Sequence, residues 1–302
     1  MDLLERVACS TYLSGILAKN EDLTEYVNGK SPVDESVLQA ELERLDQFAE
    51  EQLLETEASS DQLRRIKQRF SLLWSLADLS GSLEFSVLSA MQSRFADHSI
   101  QLALEIVWRS PKISRLFANP EAKPASHSGL FILAAGKLGG RDLNFSSDVD
   151  LIAFYDKIEL KAAPMYGVSH AVTECLKSLS TLLSKETADG FVWRVDWRLR
   201  PYASLRKLSM VSDKALDFYH YSARPWHRLA MIKARPVAGN LELGHAFMSD
   251  LGSFLWRHNL DYRAIDDVAA LKDKINLEHP ALAQQREEEE IRLEQGRGMN
   301  LK

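Results

Sequence analysis

Apolar residues recur every three or four positions through the first hundred residues, which is the spacing of one buried face of an α-helix. The pattern predicts four helices between residues 3 and 108, with breaks at Asn28–Gly29 and Ser80–Ser82. Ser31-Pro32-Val33-Asp34 contains the residues of a helix start, with Ser31 as the predicted cap. The basic run from Arg64 to Arg69 is interpreted as a solvated face of the third helix. The first third of the chain is therefore predicted to be helical.

The pattern changes to short apolar runs after a proline-containing connection over residues 109–128. Leu130–Ala135 and Val149–Tyr155 have the length and composition of buried strands. A helix is predicted from Val168 to Lys185, and the aromatic and β-branched run Phe191–Leu199 predicts a third strand that ends before Pro201. From there to Lys274 the spacing predicts helices again.

These elements predict a mostly helical α+β protein with a small mixed sheet. The predicted divisions are a helical N-terminal region (residues 1–110), a core with the sheet (111–210), C-terminal helices (211–283) and a charged tail (284–302). Glu287–Glu290 form an acidic run in the tail, which is predicted to be frayed or disordered.

Two acidic residues follow a glycine-rich turn at the start of the second predicted strand. The turn contains Gly136, Gly139 and Gly140, and the acids are Asp148 and Asp150. Residues i and i+2 of a strand share a face, so both carboxylates can reach one point. Carboxylates beside a turn of phosphate size suit Mg²⁺ bound to a nucleoside triphosphate. The alternative, a surface turn with an aspartate cap, is the weaker interpretation.

Asp196 is a third acid, in the middle of the third predicted strand. A carboxylate among aromatic residues is costly unless it meets a cation or hydrogen-bond donors, and Arg194 or Arg198 could supply these. The order strand, strand, helix, strand also places Asp196 beside the first two acids, and we favour this metal-site interpretation. The later basic segment contains Lys233 and Arg235, which are candidates to balance phosphate charge.

Composition narrows the classes of function. The 302 residues carry a net charge of -6, which argues against a general nucleic-acid binder. The N-terminus has early acids and no long apolar core, so we expect no signal peptide, and no apolar run is long enough to span a membrane. Cys9 and Cys175 lack metal-ligand spacing and are expected to be reduced thiols of a cytoplasmic protein.

The motifs resemble a known family. GKLGGRDLNFSSDVDLI is similar to the signature of the nucleotidyltransferase superfamily, which includes DNA polymerase β. Together with DGFVWRVDWRLRP and RLAMIKARPVAG, in this order over roughly residues 130–240, it resembles the glutamine synthetase adenylyltransferase and adenylyl-removing family. The helical N-terminal part and the LNFSSDVDLI wording resemble the first half of those enzymes.

The resemblance implies a polymerase β-like nucleotidyltransferase core that removes AMP from a tyrosine of glutamine synthetase by phosphorolysis, adds AMP from ATP, or both. It implies Mg²⁺ as cofactor, ATP or ADP and phosphate as substrates, and the PII signalling protein as a possible partner. Carried over by position, the catalytic and metal-binding residues are Asp148, Asp150 and Asp196. The residues that would hold nucleotide and phosphate are Gly136, Gly139, Gly140, Ser147, Arg198, Lys233 and Arg235.

The chain departs from the family pattern at four places. Lys137 replaces the serine that follows the first glycine in the superfamily signature, His227 stands where the family has an acid, and the turn after Pro201 lacks the usual glycines. The chain also stops before the family's next glycine-rich segment and lacks a second catalytic domain, so we expect a fragment, a truncated product or a reduced paralogue. Two alternatives stay open: a binding module without catalysis, and a nucleotidyltransferase with another acceptor.

Overall fold

The structure, a computed structural model, describes residues 3–51, 56–118, 125–201, 208–256 and residue 273. The predicted tail of residues 284–302 and nearly all of the segment 257–283 lie outside the described residues. None of the described helices is both long and apolar enough to cross a membrane.

The first third of the chain is helical, as predicted. Its helices are α1 (Leu3–Ala8), α2 (Thr11–Lys19), α3 (Thr24–Val27), α4 (Glu35–Glu51), α5 (Thr56–Ser80) and α6 (Phe85–Arg109). The start of α4 corrects one prediction, because the helix begins at Glu35 and the side chain of Asp34 accepts the amide hydrogen of Val37 at 3.1 Å. Asp34, and not Ser31, is therefore the cap.

Within the described ranges, seven further helices surround or extend the sheet. They are α7 (Pro111–Ser114), α8 (Gly136–Gly139), α9 (Val168–Ser184), α10 (Ser212–Tyr221), α11 (Pro225–Met231), α12 (Leu241–Asp250) and α13 (Gly252–Leu255). Single turns of 3₁₀ helix cover Glu21–Leu23 and Ala125–His127.

In the part of the chain that the structure describes, five strands form one mixed sheet. They are β1 (Leu130–Ala134), β2 (Val149–Tyr155), β3 (Val195–Asp196), β4 (Ser209–Val211) and β5 (Arg235–Gly239). The strand order is β3-β2-β1-β5. Strand β3 pairs with the first two residues of β2, and β4 pairs with its last three residues. Strand β1 is antiparallel to both of its neighbours, whereas β3 and β4 are parallel to β2. The predicted α+β class with a small mixed sheet is confirmed.

Three strand predictions need correction. The third strand was predicted over Phe191–Leu199, but its ladder is limited to Val195–Asp196. Strands β4 and β5 lie in a region that the spacing predicted to be helical, so Arg235 lies on a strand and not on a helix. Pro236 lies within β5 at the edge of the sheet, where its missing amide hydrogen costs no ladder bond.

The two faces of the sheet bury alternate residues of β1 and β2. Leu130 and Ile132 join a large core with α5, α6 and α9, and this core extends from the N-terminal helices into β5. Phe131 and Leu133 face a smaller core made with α10 to α13. Because successive strand residues point to opposite faces, the continuous apolar runs of β1 and β2 are covered on both sides.

The basic run on α5 is not a solvated face. Arg64 is 4% exposed and Lys67 is 7% exposed, whereas Arg65 has an exposed side chain. Arg64 donates to the carbonyl oxygen of Leu182 at 3.0 Å. The interpretation of this run as solvated is therefore wrong for the residues that face the core.

Candidate active site

Asp150 and Asp196 occupy paired positions on the neighbouring parallel strands β2 and β3. Val149 pairs with Val195 in the same ladder, and the amide of Val149 donates to the carbonyl oxygen of Arg194 at 2.9 Å. The predicted neighbourhood of the second and third acids is confirmed. This pairing brings together two carboxylates that are distant in the chain.

The carboxylates of Asp148 and Asp196 are each bound by an arginine. Asp148 accepts from Nε of Arg194 at 2.6 Å, and Asp196 accepts from the backbone amide and from Nε of Arg198, both at 2.7 Å. The sequence left open whether Asp196 meets an arginine or a metal. Its side chain is 16% exposed and pairs with Arg198, while it also lies beside Asp150.

The carboxyl group of Asp150 is harder to ionise than that of an ordinary aspartate. Burial raises the pKa of its carboxyl group, and the nearby charges of Asp196 and Asp148 raise the pKa further. Burial also acts against ionisation of Asp196, but the hydrogen bonds and charge of Arg198 outweigh it and lower the pKa of Asp196. The pair thus has carboxyl groups whose pKa values are shifted in opposite directions, a pattern that is frequent at catalytic sites.

Gly136 brings the turn into direct contact with this pair. It has φ of +56°, which is the left-handed region that favours glycine. A Cβ atom at this position would overlap Oδ2 of Asp150. Any other residue at Gly136 would therefore strain the backbone and displace the carboxylate.

Gly139 and Gly140 pack against the segment that leads into β5. A Cβ atom on Gly139 would meet the carbonyl oxygen of Lys233, and one on Gly140 would lie 2.9 Å from Cδ of Lys233. Nζ of Lys233 is 2.9 Å from a carboxylate oxygen of Asp142. Lys233 therefore lies over the glycine turn, as the phosphate-binding prediction requires, and that role stays a prediction.

Arg235 contacts the turn and makes four hydrogen bonds through its guanidinium group. It forms two hydrogen bonds to Asp97 of α6, at 2.7 and 3.0 Å, and donates to the carbonyl oxygens of Leu138 at 2.9 Å and Gly139 at 3.2 Å. This geometry fixes the turn to α6. Sequence reasoning missed Asp97, because nothing in a helical pattern distinguishes it from an ordinary polar position.

Ser147 lies between the glycine turn and Asp148. Nζ of Lys137 is 3.3 Å from its hydroxyl oxygen, and the hydroxyl group also bonds to the side chain of Asn144. The positive charge of Lys137 acts on Asp150 and opposes the rise of its pKa. Lys137, which stands where the superfamily signature has a serine, is thus a cation at the site.

Carboxylate oxygens are the ligands that Mg²⁺ prefers. Among the described residues, no group of three Asp, Glu, His or Cys side chains has an arrangement that would hold a metal ion. Asp148 and Asp196 turn to their arginines instead. The magnesium site therefore stays a prediction.

Comparison with known proteins gives a consistent assignment. The family model described as glutamate-ammonia ligase adenylyltransferase matches residues 1–250. The chain is 38% identical over 215 residues to the bifunctional glutamine synthetase adenylyltransferase/adenylyl-removing enzyme of Xanthobacter autotrophicus, over 71% of this chain and 22% of that protein. The enzymes of the same name from Rhodopseudomonas palustris and Bartonella quintana are 37% and 35% identical over 70% and 71% of this chain, and 21% and 22% of their own lengths.

The chain spans about a fifth of the length of these curated relatives. The family match itself covers most of the chain, including the helical N-terminal region, the glycine turn and all three acidic positions. The resemblance inferred from the motifs is therefore confirmed: the chain belongs to the glutamate-ammonia ligase adenylyltransferase family.

Proposed function

We propose that this chain is a nucleotidyltransferase that transfers AMP to or from glutamine synthetase. The observation that carries the proposal is the pairing of Asp150 with Asp196 directly beside the left-handed glycine Gly136. The names of the curated relatives, which describe adenylyl transfer and adenylyl removal on glutamine synthetase, supply the acceptor. Nucleotide chemistry follows from the family.

Asp150 and Asp196 fit a divalent cation. Asp150 is partly buried, and the charges of two neighbouring carboxylates raise its pKa, so a cation between them would remove a repulsion that the protein alone leaves in place. Asp148 would be a further ligand, and in the structure its carboxylate is bound by Arg194. When bound, Mg²⁺ offsets negative charge on the phosphoryl oxygens and on the attacking and leaving groups.

The glycine turn and its cations hold the nucleotide. Because Gly136, Gly139 and Gly140 have no Cβ atoms, the turn lies directly against Asp150 and Lys233, and Ser147 offers a hydroxyl group beside Asp148. Lys233, at the outer side of the turn, and Arg198, beside Asp196, carry exposed positive charge toward the same region. Arg235 takes a different role in the proposal, because its donors are already used to position the turn.

We further propose that the favoured direction is removal of AMP by phosphorolysis. An oxygen of inorganic phosphate attacks the phosphorus of the tyrosine-bound AMP, the bond from phosphorus to the tyrosine oxygen breaks, and ADP leaves. The tyrosine oxygen takes up the proton that phosphate loses. In-line displacement needs no covalent enzyme intermediate, which agrees with a site made of carboxylates, glycines and cations.

Two parallel incubations test the function and its direction. In one, the protein is mixed with Mg²⁺, phosphate and glutamine synthetase that carries radiolabelled AMP, and labelled ADP is measured. In the other, it is mixed with labelled ATP and unmodified glutamine synthetase, and label on the acceptor is measured. Labelled ADP supports removal, and labelled acceptor supports addition. Absence of both products would contradict the proposed function.

A further inference from the structure

A cavity lies beside the candidate active site. It is enclosed by helices α2 and α5 and by the segment that leads into β3. It has a volume of about 570 Å³, which is sufficient for a small organic molecule. Ser147 and Arg194, which contact the candidate catalytic residues, form one side of it. The opposite side is formed by α2 and α5, which the proposed AMP transfer does not use.

Lys67 of α5 lies in the wall of this cavity and is 7% exposed. Its Nζ atom is 3.0 Å from the hydroxyl group of Ser71 and 4.1 Å from the centre of the Trp193 ring. Among the described residues, no carboxylate forms an ion pair with it. An ammonium group in an apolar wall without an anion is expensive, and burial lowers the pKa of Lys67 to about 7.

The groups around Lys67 form a polar patch inside an aromatic cavity. The hydroxyl group of Ser71 accepts from Nζ of Lys67 and donates to the backbone carbonyl oxygen of Lys67 at 2.8 Å, and Tyr12 also lines the cavity. The side-chain amide of Gln68 also lines the cavity and forms no hydrogen bond with the described part of the chain. Four aromatic rings supply flat walls, those of Tyr12, Phe145, Phe191 and Trp193. Donors at one end and rings around them suit a ligand with an anionic head and an apolar body.

The charged residues that line the cavity favour a ligand with a single negative charge. Lys19 at the rim is already paired with Asp189 at 2.8 Å, and Arg194 is paired with Asp148. Glu186 is an exposed anion at the same rim and repels a polyanion. Lys67 is thus the one cation lining the described cavity that lacks a carboxylate, and a nucleoside triphosphate would bring more charge than it can balance.

We propose that this cavity binds a small organic monocarboxylate, with its carboxylate at Lys67 and its apolar body against the aromatic rings. The carboxylate supplies the anion that the buried ammonium group lacks, and it accepts from the side-chain amide of Gln68. The site stands beside the proposed AMP-transfer site and is separate from its phosphate-binding turn. The proposal does not depend on the reaction that the neighbouring residues perform.

Binding of indole-3-acetate and of butyrate, measured by isothermal titration calorimetry on the full chain, tests this proposal. We expect at least one of the two acids to bind, and the matching neutral amide to bind about ten- to a hundredfold more weakly, because hydrogen bonds to charged groups are the strong ones. The Lys67→Met variant should bind the acid more weakly by a similar factor. This variant should fold, because the substitution removes a buried charge. Failure of both acids to bind, or equal binding of acid and amide, would overturn the proposal.

A blocking variant keeps the test independent of Lys67. A Cβ atom on Gly15 of α2 meets nothing within 4 Å, and Gly15 lines the cavity, so Gly15→Leu should fill it without touching the lysine. Gly252→Leu is the matched control, since its Cβ also meets nothing within 4 Å and Gly252 does not line the cavity. Binding that survives in Gly15→Leu would overturn the proposal. If the wild-type protein binds the acid but transfers no AMP, the proposed function alone is contradicted.

Discussion

Asp150 of β2 and Asp196 of β3 form a pair in a parallel ladder, and the positions next to them pair Val149 with Val195. One step further along, Arg194 stands across from Asp148 and binds it. The sequences Asp-Val-Asp and Arg-Val-Asp therefore lie side by side, with an acid facing an acid at one end and an acid facing a base at the other. This register is the structural basis of the proposed AMP-transfer site.

Replacement of either paired acid by its amide should abolish AMP transfer without unfolding the protein. Asp150→Asn and Asp196→Asn each remove a carboxylate that the proposal assigns to the cation, so we expect the rate to fall by at least about a hundredfold. Because the pKa of Asp150 is raised in the folded state, its ionised form destabilises the fold at neutral pH, and Asp150→Asn should unfold at the same temperature as wild type or higher. Initial rates and thermal unfolding measure both effects.

Asp78→Asn is the control for these variants, since Asp78 is an exposed acid near the end of α5. It should leave the rate within about twofold of wild type, as surface substitutions away from special features do. A similar loss of rate in Asp78→Asn would mean that the effect is not specific to the paired acids.

Gly136→Ala should damage both stability and activity. The left-handed backbone and the overlap of the new Cβ with Asp150 together should cost about 1–3 kcal/mol of unfolding free energy. Gly252→Ala, in open space on α13, should change stability by less than about 1 kcal/mol. Urea denaturation measures the two differences, and equal values for the two variants would contradict the assigned role of Gly136.

The Asp97–Arg235 pair should act as a positioning contact for the glycine turn. Burial raises the pKa of Asp97, but Asp97→Asn also leaves the partly buried guanidinium group of Arg235 without its carboxylate, so we expect a net loss of about 1–3 kcal/mol in unfolding free energy. The exposed pair of Lys177 and Glu174 is the control, and Glu174→Gln should cost less than about 1 kcal/mol. If Arg235 bound phosphate directly instead, Arg235→Lys would raise the KM for phosphate and leave stability unchanged.

Lys67→Met should stabilise the protein, and the gain should depend on pH. The pKa of Lys67 is about 7 in the folded state and 10.5 for an ordinary lysine. Between pH 7 and pH 10.5, Lys67 keeps its proton in the unfolded chain and has released it in the folded chain. The stability of the wild-type protein therefore rises with pH over this range. The gain from Lys67→Met is therefore largest below pH 7 and smaller near pH 10. Urea denaturation at both pH values measures it, with the exposed Lys177→Met as the control, and a pH-independent effect would contradict the assignment.

Sequence patterns predicted the parts of the fold with strong local signals. Strand β2 follows from the apolar run Leu151–Tyr155, and the turn before it follows from its glycines. The position of Asp196 beside Asp150 followed from the order of the elements. Each of these features depends on residues that are close in the chain or on a simple rule of topology.

The features that sequence reasoning missed depend on contacts between distant residues. Strand β5 contains Pro236 and a single charged residue, and its strand conformation comes from pairing with β1. The roles of Asp97 and Lys67 likewise arise where α6 meets β5 and where α5 meets Trp193. Helical spacing identifies a buried face, but it does not tell which charged residue on that face has a partner.

The most direct measurement of the central claim is the release of labelled ADP from glutamine synthetase that carries radiolabelled AMP, in the presence of phosphate and Mg²⁺, by wild type, Asp150→Asn and Asp196→Asn. The account predicts steady release by wild type and a loss of at least about a hundredfold in each variant. Release at the wild-type rate by either variant would contradict the proposed role of the Asp150–Asp196 pair.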